Sequence, residues 1–274
     1  MADPTRIAVI GDVGGHFAPL VHLLGELGVR FGTDIDWPDD LHVVQVGDLV
    51  HRGPASAEVV GLVADLLDRG VWTQIVGNHE QLYVDRPVFG WSESIDETAQ
   101  TQLRDWWAHG RLRAAAAVTD NSGEEWLITH AGLTAGFWRH GLEAPDDAGA
   151  TVEALKEAAD GGALWHPGTM LLGIDDDNAG PAWAAAGTEV YPSWPRLEAE
   201  LPFNQIHGHS SAFDWNRNRW SAESWIRPQI RLDLNRRHAA FEHSGRRIVG
   251  IDPCHLAEAA PVFEPLVLRG AVIG

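Results

Sequence analysis

The chain has 274 residues, of which 45% are hydrophobic and 22% are charged, and its formal net charge is −19. That length can bury a sizeable core and suits one large domain or two small ones. The negative charge argues against nucleic-acid backbones and anionic membranes as partners. No apolar run reaches the roughly 18 residues that a membrane span needs, and the first residues lack the pattern of a signal peptide.

The first 130 residues predict a strand, a loop and a helix, repeated along the chain. Short apolar strands are predicted at Arg6–Ile10, Leu41–Val46 and Val71–Val76, each closed by Gly-Asp or Gly-Asn. Helices are predicted between them, from about Ala18 to Leu27 and from Ser56 to about Arg69. Strands that alternate with helices predict an α/β sheet.

The second half of the chain is less regular. The turn-forming residues 120–123 predict a hairpin between the strands Ala114–Thr119 and Glu125–Thr129. Residues 134–200 are rich in Gly, Ala and Pro, and Thr151–Ala159 is the helix predicted there. We interpret 134–200 as a variable cap or insertion. Later strands are predicted at Phe203–His207, Ile226–Leu234 and Arg247–Ile251.

Polar residues follow the ends of the three N-terminal strands. Asp12, Asp48 and Asn78 each come after a glycine, which lets the backbone turn sharply. Functional groups of α/β proteins collect at such strand ends, and neighbouring carboxylates cost several kcal/mol unless cations neutralise them. Histidines also stand beside strand ends, at His79, His130, His207 and His209. Mixed Asp, Asn and His ligands suit Mn, Fe or Zn.

These motifs, in this order, resemble the calcineurin-like metallophosphoesterases. The chain is most similar to the branch that contains serine/threonine protein phosphatases, lambda-type phage phosphatases and diadenosine tetraphosphate hydrolases. Residues 47–58 match that branch's Gly-Asp-x-Val-Asp-Arg-Gly-x-x-Ser-x-Glu at every defined position but one, and residues 77–80 match Gly-Asn-His-Glu fully. The motifs span residues 11 to 209.

The resemblance implies a fold and a cofactor. The fold is a four-layer α/β/β/α sandwich of two mixed sheets, formed by a single domain over residues 1–274 with the cap at about 134–200. The implied cofactor is two divalent metal ions, with Mn expected before Fe or Zn. Asp12 and Asp48 would hold the first ion, and Asp48, Asn78, His130 and His209 would hold the second.

The resemblance also implies a reaction, the hydrolysis of a phosphate ester or anhydride by a metal-activated water. Two ions about 3.5–4 Å apart, bridged by Asp48, would clamp the phosphoryl group. Arg52 would bind the substrate phosphate through its planar guanidinium. His79 would protonate the leaving oxygen. The substrate would be a phosphorylated small molecule, a nucleotide or a phosphoprotein.

Two positions depart from the family pattern. Gly14 stands where the first motif, Gly-Asp-x-His-Gly, has a histidine ligand, and His51 stands where the family has an aspartate that orients the catalytic histidine. Two interpretations stay open. Activity is lost, or the site is rearranged and His16, His51 or His207 supplies the absent imidazole. For His207 we favour a place in the core or behind the ligands.

The sequence therefore predicts an active phosphoesterase, and the alternative is a catalytically impaired binding or regulatory protein on the same fold. A dinucleotide-binding loop at residues 10–15 is a third hypothesis, but its spacing fails Gly-x-Gly-x-x-Gly. The single cysteine, Cys254, excludes an internal disulfide. The cytoplasm is the expected compartment, and the sequence does not indicate an oligomeric state.

Overall fold

The computed structural model describes residues 6–253, 264–269 and 272–273, and Cys254 lies outside them. The strands, in chain order, are β1 Arg6–Ile10, β2 Arg30–Phe31, β3 Ile35–Asp36, β4 Leu41–Gln45, β5 Trp72–Ile75, β6 Leu112–Arg113, β7 Ala116–Thr119, β8 Glu125–Ile128, β9 Asn204–His207, β10 Phe213–Asp214, β11 Arg219–Trp220, β12 Ile230–Asp233, β13 His238–His243, β14 Arg246–Gly250, β15 Leu266–Arg269 and β16 Val272–Ile273. The α-helices are α1 Phe17–Glu26, α2 Ser56–Asp68, α3 Asn78–Val84, α4 Glu97–Ala108, α5 Ala148–Asp160, α6 Thr169–Leu172 and α7 Tyr191–Arg196. Short 3₁₀ or π turns lie at Phe137–Gly141, Ala163–Trp165, Ala186–Val190 and Arg227–Gln229.

Two mixed sheets form the centre of the fold. One has five strands in the order β15-β1-β4-β5-β6, and the other has seven in the order β12-β13-β14-β9-β8-β7-β16. Strands β1, β4, β5 and β6 run parallel in the first sheet, and β8, β9 and β14 run parallel in the second. Parallel strands end at the same edge of a sheet. The residues that follow β1, β4 and β5 therefore meet at one edge, and those that follow β8 and β9 meet at another.

Alternating side chains of each strand pack into two different apolar layers, one on each face of the sheet. Val44 of β4 shares an apolar cluster with Ile128 of β8 and Ile206 of β9, which lies between the sheets. Its neighbour Val43 belongs to a second cluster on the outer face, because successive side chains of a strand point to opposite faces.

Helices cover the outer faces of both sheets. Helices α1 and α2 contribute apolar residues such as Leu24 and Leu66 to the cluster that contains Val43. Helix α5 contacts β7 and β8 of the second sheet, and Trp194 of α7 shares a third cluster with Phe241 of β13. The layers are therefore helix, sheet, sheet and helix, which confirms the predicted α/β/β/α sandwich. No helix among the described residues is long and apolar enough to cross a bilayer.

The predicted elements of the N-terminal half are confirmed to within about two residues. The predicted strand at Ile226–Leu234 was only partly right, because Arg227–Gln229 forms a 3₁₀ turn and the strand covers Ile230–Asp233. Pro228 explains the difference, since it has no N–H to give to a ladder. The helix predicted at Thr151–Ala159 is longer. It begins after Asp147, whose carboxylate accepts a hydrogen bond from the Ala150 N–H at 2.7 Å.

Candidate metal centre and active site

Four buried side chains converge where the strand ends of the two sheets meet. Asp48 and Asn78 come from the first sheet, and His130 and His209 follow β8 and β9 of the second. Ligand atoms of Asp48, His130 and His209 all lie within 4.8 Å of one another. The Asn78 amide oxygen lies 2.9 Å from both His130 Nε2 and His209 Nδ1. Neighbouring ligands about 2.1 Å from an octahedral ion are themselves about 3.0 Å apart, so this spacing fits a metal site.

The hydrogen bonds of His130 give an independent test of that fit. Its Nδ1 lies 3.0 Å from the carbonyl oxygen of Val46, so Nδ1 carries the proton and donates it. Burial lowers the pKa of His130, which keeps the ring neutral and leaves Nε2 with a bare lone pair. This lone pair faces the amide oxygen of Asn78, which also can only accept. A cation between them removes the conflict, and the residues present therefore fit a metal ion.

The loops hold several site residues in left-handed backbone conformations. The φ angles are 55° at Asp48, 71° at His51, 63° at Arg52 and 62° at His209. Residues other than glycine seldom adopt such angles, and strained backbone of this kind clusters at functional sites. Gly47 is required for a different reason. A Cβ there would lie 2.7 Å from His130 Nδ1, so only glycine lets the β4 loop approach that ring.

The Glu80 carboxylate fixes the loop that carries Asp48. One of its oxygens accepts hydrogen bonds from the backbone N–H groups of Gly77 and Asp48, and the other accepts from that of Leu49, each at 2.8 Å. Burial and the nearby charge of Asp48 raise the pKa of Glu80 to about 8, and the three N–H donors act in the opposite direction. The sequence contained Glu80 only as part of a motif and did not predict this role.

The Glu80→Gln variant is expected to be destabilised by about 1–3 kcal/mol, because the amide nitrogen of glutamine would face a backbone N–H that also donates. The measurement is the free energy of unfolding by chemical denaturation, with metal present. Glu124→Gln is the matched control, since Glu124 lies at the surface and its carboxylate pairs with Arg247 at 3.0 Å. Equal stability of the two variants would contradict the role of Glu80.

A second acidic group lies beside the cluster. Asp12 is buried, and its carboxylate accepts a hydrogen bond from the backbone N–H of His209 at 2.9 Å. The buried Asp252 lies nearby, because residues 251–253 pack on Gly11, where a Cβ would lie 2.4 Å from the carbonyl oxygen of Ile251. Burial, then the charges of Asp252 and Asp48, raise the pKa of Asp12 well above its usual value. A cation would relieve this crowding of carboxylates.

Asp252 was not predicted from the sequence, although a signal was present. Asp252 comes directly after the predicted strand Arg247–Ile251, and Asp12 and Asp48 likewise come after their strands, with one glycine between. A cavity of about 500 Å³ opens over this part of the site, and it is lined by Asp12, Asp252, Arg52 and His209 together with cap residues 185–188. Arg52 therefore shares one cavity with the acidic groups, as the predicted phosphate-binding role requires.

The side chain of His79 lies beside Asp48. Its Nε2 is 3.8 Å from one carboxylate oxygen of Asp48, and its backbone N–H donates to the other at 3.0 Å. Its Nδ1 lies 2.8 Å from His51 Nδ1, and His51 Nε2 lies 2.6 Å from the hydroxyl of Tyr83. The Trp91 ring covers this group, with its centroid 4.5 Å from that of His79. Tyr83 and Trp91 were not predicted from the sequence.

The three candidate substitute imidazoles lie outside the cluster of ligand atoms found among the described residues. His51 bonds to His79 and Tyr83. His207 is fully buried, with Nδ1 2.9 Å from the carbonyl oxygen of Gly208 and Nε2 3.1 Å from the Tyr191 hydroxyl. His16 is buried directly before α1.

The backbone at Gly14 disfavours the histidine that the family motif has at this position. Its φ is +53°, in the region where glycine is favoured and other side chains are strained. The next residue, Gly15, has φ +67°, and a Cβ there would lie 2.8 Å from the carbonyl oxygens of His51 and Gly53. The loop after β1 thus has a backbone course that disfavours side chains at both positions.

Known proteins resemble the chain in sequence and in fold. It is 32% identical over 145 residues to the bis(5'-nucleosyl)-tetraphosphatase PrpE (asymmetrical) of Geobacillus sp. strain WCH70. The aligned segment covers 47% of this chain and 58% of that protein. It is 31% identical over 135 residues to the symmetrical bis(5'-nucleosyl)-tetraphosphatase of Thioalkalivibrio sulfidiphilus. That aligned segment covers 46% of this chain and 45% of that protein. The chain thus spans about half the length of these relatives.

The fold is similar to that of a cold-active protein-tyrosine phosphatase from a psychrophilic Shewanella species. The TM-score is 0.55 at 16% identity, over 98% of this chain and 78% of that chain. At that identity the likeness concerns the fold alone. Residues 5–211 match the calcineurin-like phosphoesterase family. Because this match covers most of the sequence, the chain belongs to the calcineurin-like phosphoesterase family.

Proposed function

We propose that this protein is a metal-dependent phosphoesterase that hydrolyses a phosphate ester or anhydride by attack of a metal-activated water. The observation that carries the proposal is the convergence of Asp48, Asn78, His130 and His209, where lone pairs face one another at the spacing of metal ligands. When bound, a divalent metal lowers the pKa of a water and polarises a phosphoryl oxygen. Membership of the family supports the same class of reaction.

In this proposal the protein holds two ions at unequal sites. Asp48, Asn78, His130 and His209 hold one ion with mixed oxygen and nitrogen donors. Asp12 and Asp48 hold the other, and Asp252 takes the place of the histidine that Gly14 removes. A site built of carboxylates binds borderline metals more weakly than one with imidazoles and favours Mn. Mn is therefore the first candidate, and Fe or Zn also suit the donors of the nitrogen-containing site.

The remaining groups bind the substrate and provide the acid. Arg52 lies in the cavity with Asp12 and Asp252 and pairs with two oxygens of the substrate phosphate. His79 presents Nε2 toward Asp48 and donates a hydrogen bond to the leaving oxygen. Burial lowers the pKa of His79, and the nearby charge of Asp48 acts in the opposite direction.

Asp252→Asn is expected to remove one ion and leave the other, because the amide keeps an acceptor but loses the charge that the oxygen-rich site needs. Wild type should bind two ions per chain and release one on dialysis, and the variant should need at least about tenfold more Mn for half-maximal activity. Elemental analysis and Mn titration calorimetry measure this. Asp214→Asn is the matched control, since Asp214 lines the same cavity but pairs with Arg217. Loss of both ions, or of neither, would contradict the assignment.

The test of the reaction itself is turnover of nitrophenyl phosphate with added Mn, before and after chelation. We expect turnover that the chelator removes and Mn restores. Metal binding without turnover of any phosphate ester or anhydride would instead favour the impaired binding protein on the same fold.

Several finer predictions complete the proposal. A single domain over residues 1–274 with a cap at about 134–200 is supported by a family match that continues through the cap region. The names of the two relatives, both nucleosyl tetraphosphatases, favour a nucleotide with phosphoanhydride bonds as the substrate. The cytoplasm stays the predicted compartment. The net charge of −19 continues to argue against nucleic-acid backbones and membranes as partners.

A further inference from the structure

The cavity over the proposed metal centre is large enough for more than one phosphate group. Its volume of about 500 Å³ lies within the range of about 300–1,000 Å³ that small-molecule sites occupy. Its lining includes Asp12 and Arg52 of the proposed reaction centre, cap residues 169–170 and 185–188, and several of residues 210–221, which follow β9. A single phosphate bound by Arg52 would leave the other lining residues unused, so the cavity has room for a further part of the substrate.

The buried Glu189 carboxylate fixes the cap side of this cavity. One of its oxygens accepts hydrogen bonds from the backbone N–H groups of Thr169 and Asp176, at 2.8 and 2.9 Å, and the other accepts from that of Ala185 at 2.7 Å. Glu189 is 0% exposed, so water does not compete for these bonds. Thr169 and Ala185 both line the cavity. One buried group therefore holds two stretches of the cavity wall together.

The cap side is bonded in turn to the segment that follows β9. The Ser210 hydroxyl oxygen accepts from the Ala186 N–H at 2.9 Å, and the Gly187 carbonyl oxygen accepts from the Glu223 N–H at 3.2 Å. A Cβ on Gly187 would lie 2.7 Å from the Ala222 Cα, so the two walls pack too closely there for a side chain. The cavity is therefore preformed, and a ligand does not have to order its walls.

Polar side chains make up most of the lining beyond Asp12 and Arg52. Hydroxyl and amide groups come from Thr169, Thr188, Ser210, Ser211, Ser221 and Asn216. Such groups donate hydrogen bonds to the oxygens of phosphates and sugars. The Ser210 oxygen accepts its bond from the protein, so its hydroxyl can still donate to a ligand. The lining therefore suits a chain of phosphate groups.

Arg217 brings a positive charge to this lining. It lies in the turn between β10 and β11, and its Nη1 is 3.2 Å from a carboxylate oxygen of Asp214. The Arg219 Nε lies 3.6 Å from the same oxygen, so these three groups together carry one positive charge in excess. In a chain whose net charge is −19, a positive group at the active-site cavity favours an anionic ligand.

We propose that this cavity is a preformed subsite for a phosphate group other than the one that reacts, and that Arg217 binds that second phosphate. The inference rests on the proposed function and deepens it, because it requires a substrate with at least two linked phosphate groups, such as a nucleoside triphosphate or a dinucleoside polyphosphate. Arg52 binds the reacting phosphate, and Arg217 binds a neighbouring one through its planar guanidinium. A substrate with one phosphate, such as nitrophenyl phosphate, does not use this subsite.

The first test is the KM of the metal-loaded Arg217→Gln variant, measured with Mn in excess of the substrate phosphates. KM for adenosine triphosphate and for inorganic tripolyphosphate should rise by at least about tenfold, because a charge-assisted hydrogen bond is lost. KM for nitrophenyl phosphate should stay unchanged. The fold should persist, since an exposed ion pair such as that of Arg217 with Asp214 contributes little to stability.

Arg219→Gln is the matched control. Arg219 pairs with the same carboxylate, and its side chain is 67% exposed against 68% for Arg217. It lies outside the cavity lining that the described residues form, so its replacement should leave KM unchanged for all three substrates. Equal increases in the two variants would indicate general attraction of anions and would overturn the inference. Unchanged KM for both polyphosphates in Arg217→Gln would overturn it as well.

Titration calorimetry with a methylene-bridged, non-hydrolysable adenosine triphosphate analogue provides a readout that does not need turnover. The metal-loaded wild type should bind the analogue at least about tenfold more tightly than Arg217→Gln does. Equal affinities, or no binding by the wild type, would overturn the inference. Binding that depends on Arg217, without turnover of any phosphate ester or anhydride, would instead count against the proposed function alone.

Discussion

The Asp48→Asn variant is expected to lose both metal ions and to turn over roughly 10³-fold more slowly or worse, since a bound metal supplies several kcal/mol of transition-state stabilisation. The fold should persist. Asparagine keeps an oxygen to accept the His79 N–H and is among the residues that tolerate a φ of 55°. It loses the negative charge that a buried site needs to hold a cation. Elemental analysis of the purified variant and turnover of nitrophenyl phosphate measure the two effects.

Asp120→Asn is the control for that experiment. Asp120 accepts hydrogen bonds from Ser122 and Trp126 in the turn between β7 and β8, away from the metal cluster. Its replacement should leave metal content and turnover unchanged. If Asp48→Asn also kept both ions and the wild-type rate, the bridging role of Asp48 would be wrong.

The His79→Ala variant is expected to lose about 10²–10⁴-fold in turnover, the usual contribution of a positioned acid or base. Metal content should stay at the wild-type level, because His79 contacts Asp48 without belonging to the ligand cluster. Turnover and elemental analysis on the same preparation separate these two readouts.

The size of the loss should depend on the leaving group. Nitrophenolate needs little help to depart, so its hydrolysis should suffer less from His79→Ala than that of phenyl phosphate. His109→Ala is a suitable control, since His109 is exposed at the end of α4. An equal loss with both substrates would argue against His79 as the group that assists departure.

The sequence predicted the parts of the site that depend on local pattern and strand order. Asp12, Asp48 and Asn78 follow short apolar strands, and parallel pairing of those strands brings them together. His130 and His209 follow β8 and β9, which also run parallel. In each case a strand that could be read from the sequence determines where the functional side chain lies.

Other features depend on tertiary packing, which a local sequence pattern does not predict. Helix α4 was not predicted, because its buried residues Ala99, Leu103 and Trp106 are few and its other positions are largely polar. The contact of Tyr83 with His51 joins a helix to a distant loop, and neither residue type at its position signals the partner. Such contacts can be identified only from the three-dimensional structure.

The position of the proposed metal ligands between two sheets has a thermodynamic consequence. Two of these residues follow strands of the first sheet and two follow strands of the second, so an ion bound to all four would tie the sheets together. An unfolded chain does not preserve this arrangement, and binding energy therefore adds to the free energy of unfolding. Each tenfold rise in free metal above the dissociation constant adds about 1.4 kcal/mol. Metal supply would then determine how much folded protein a cell retains, besides how fast that protein works.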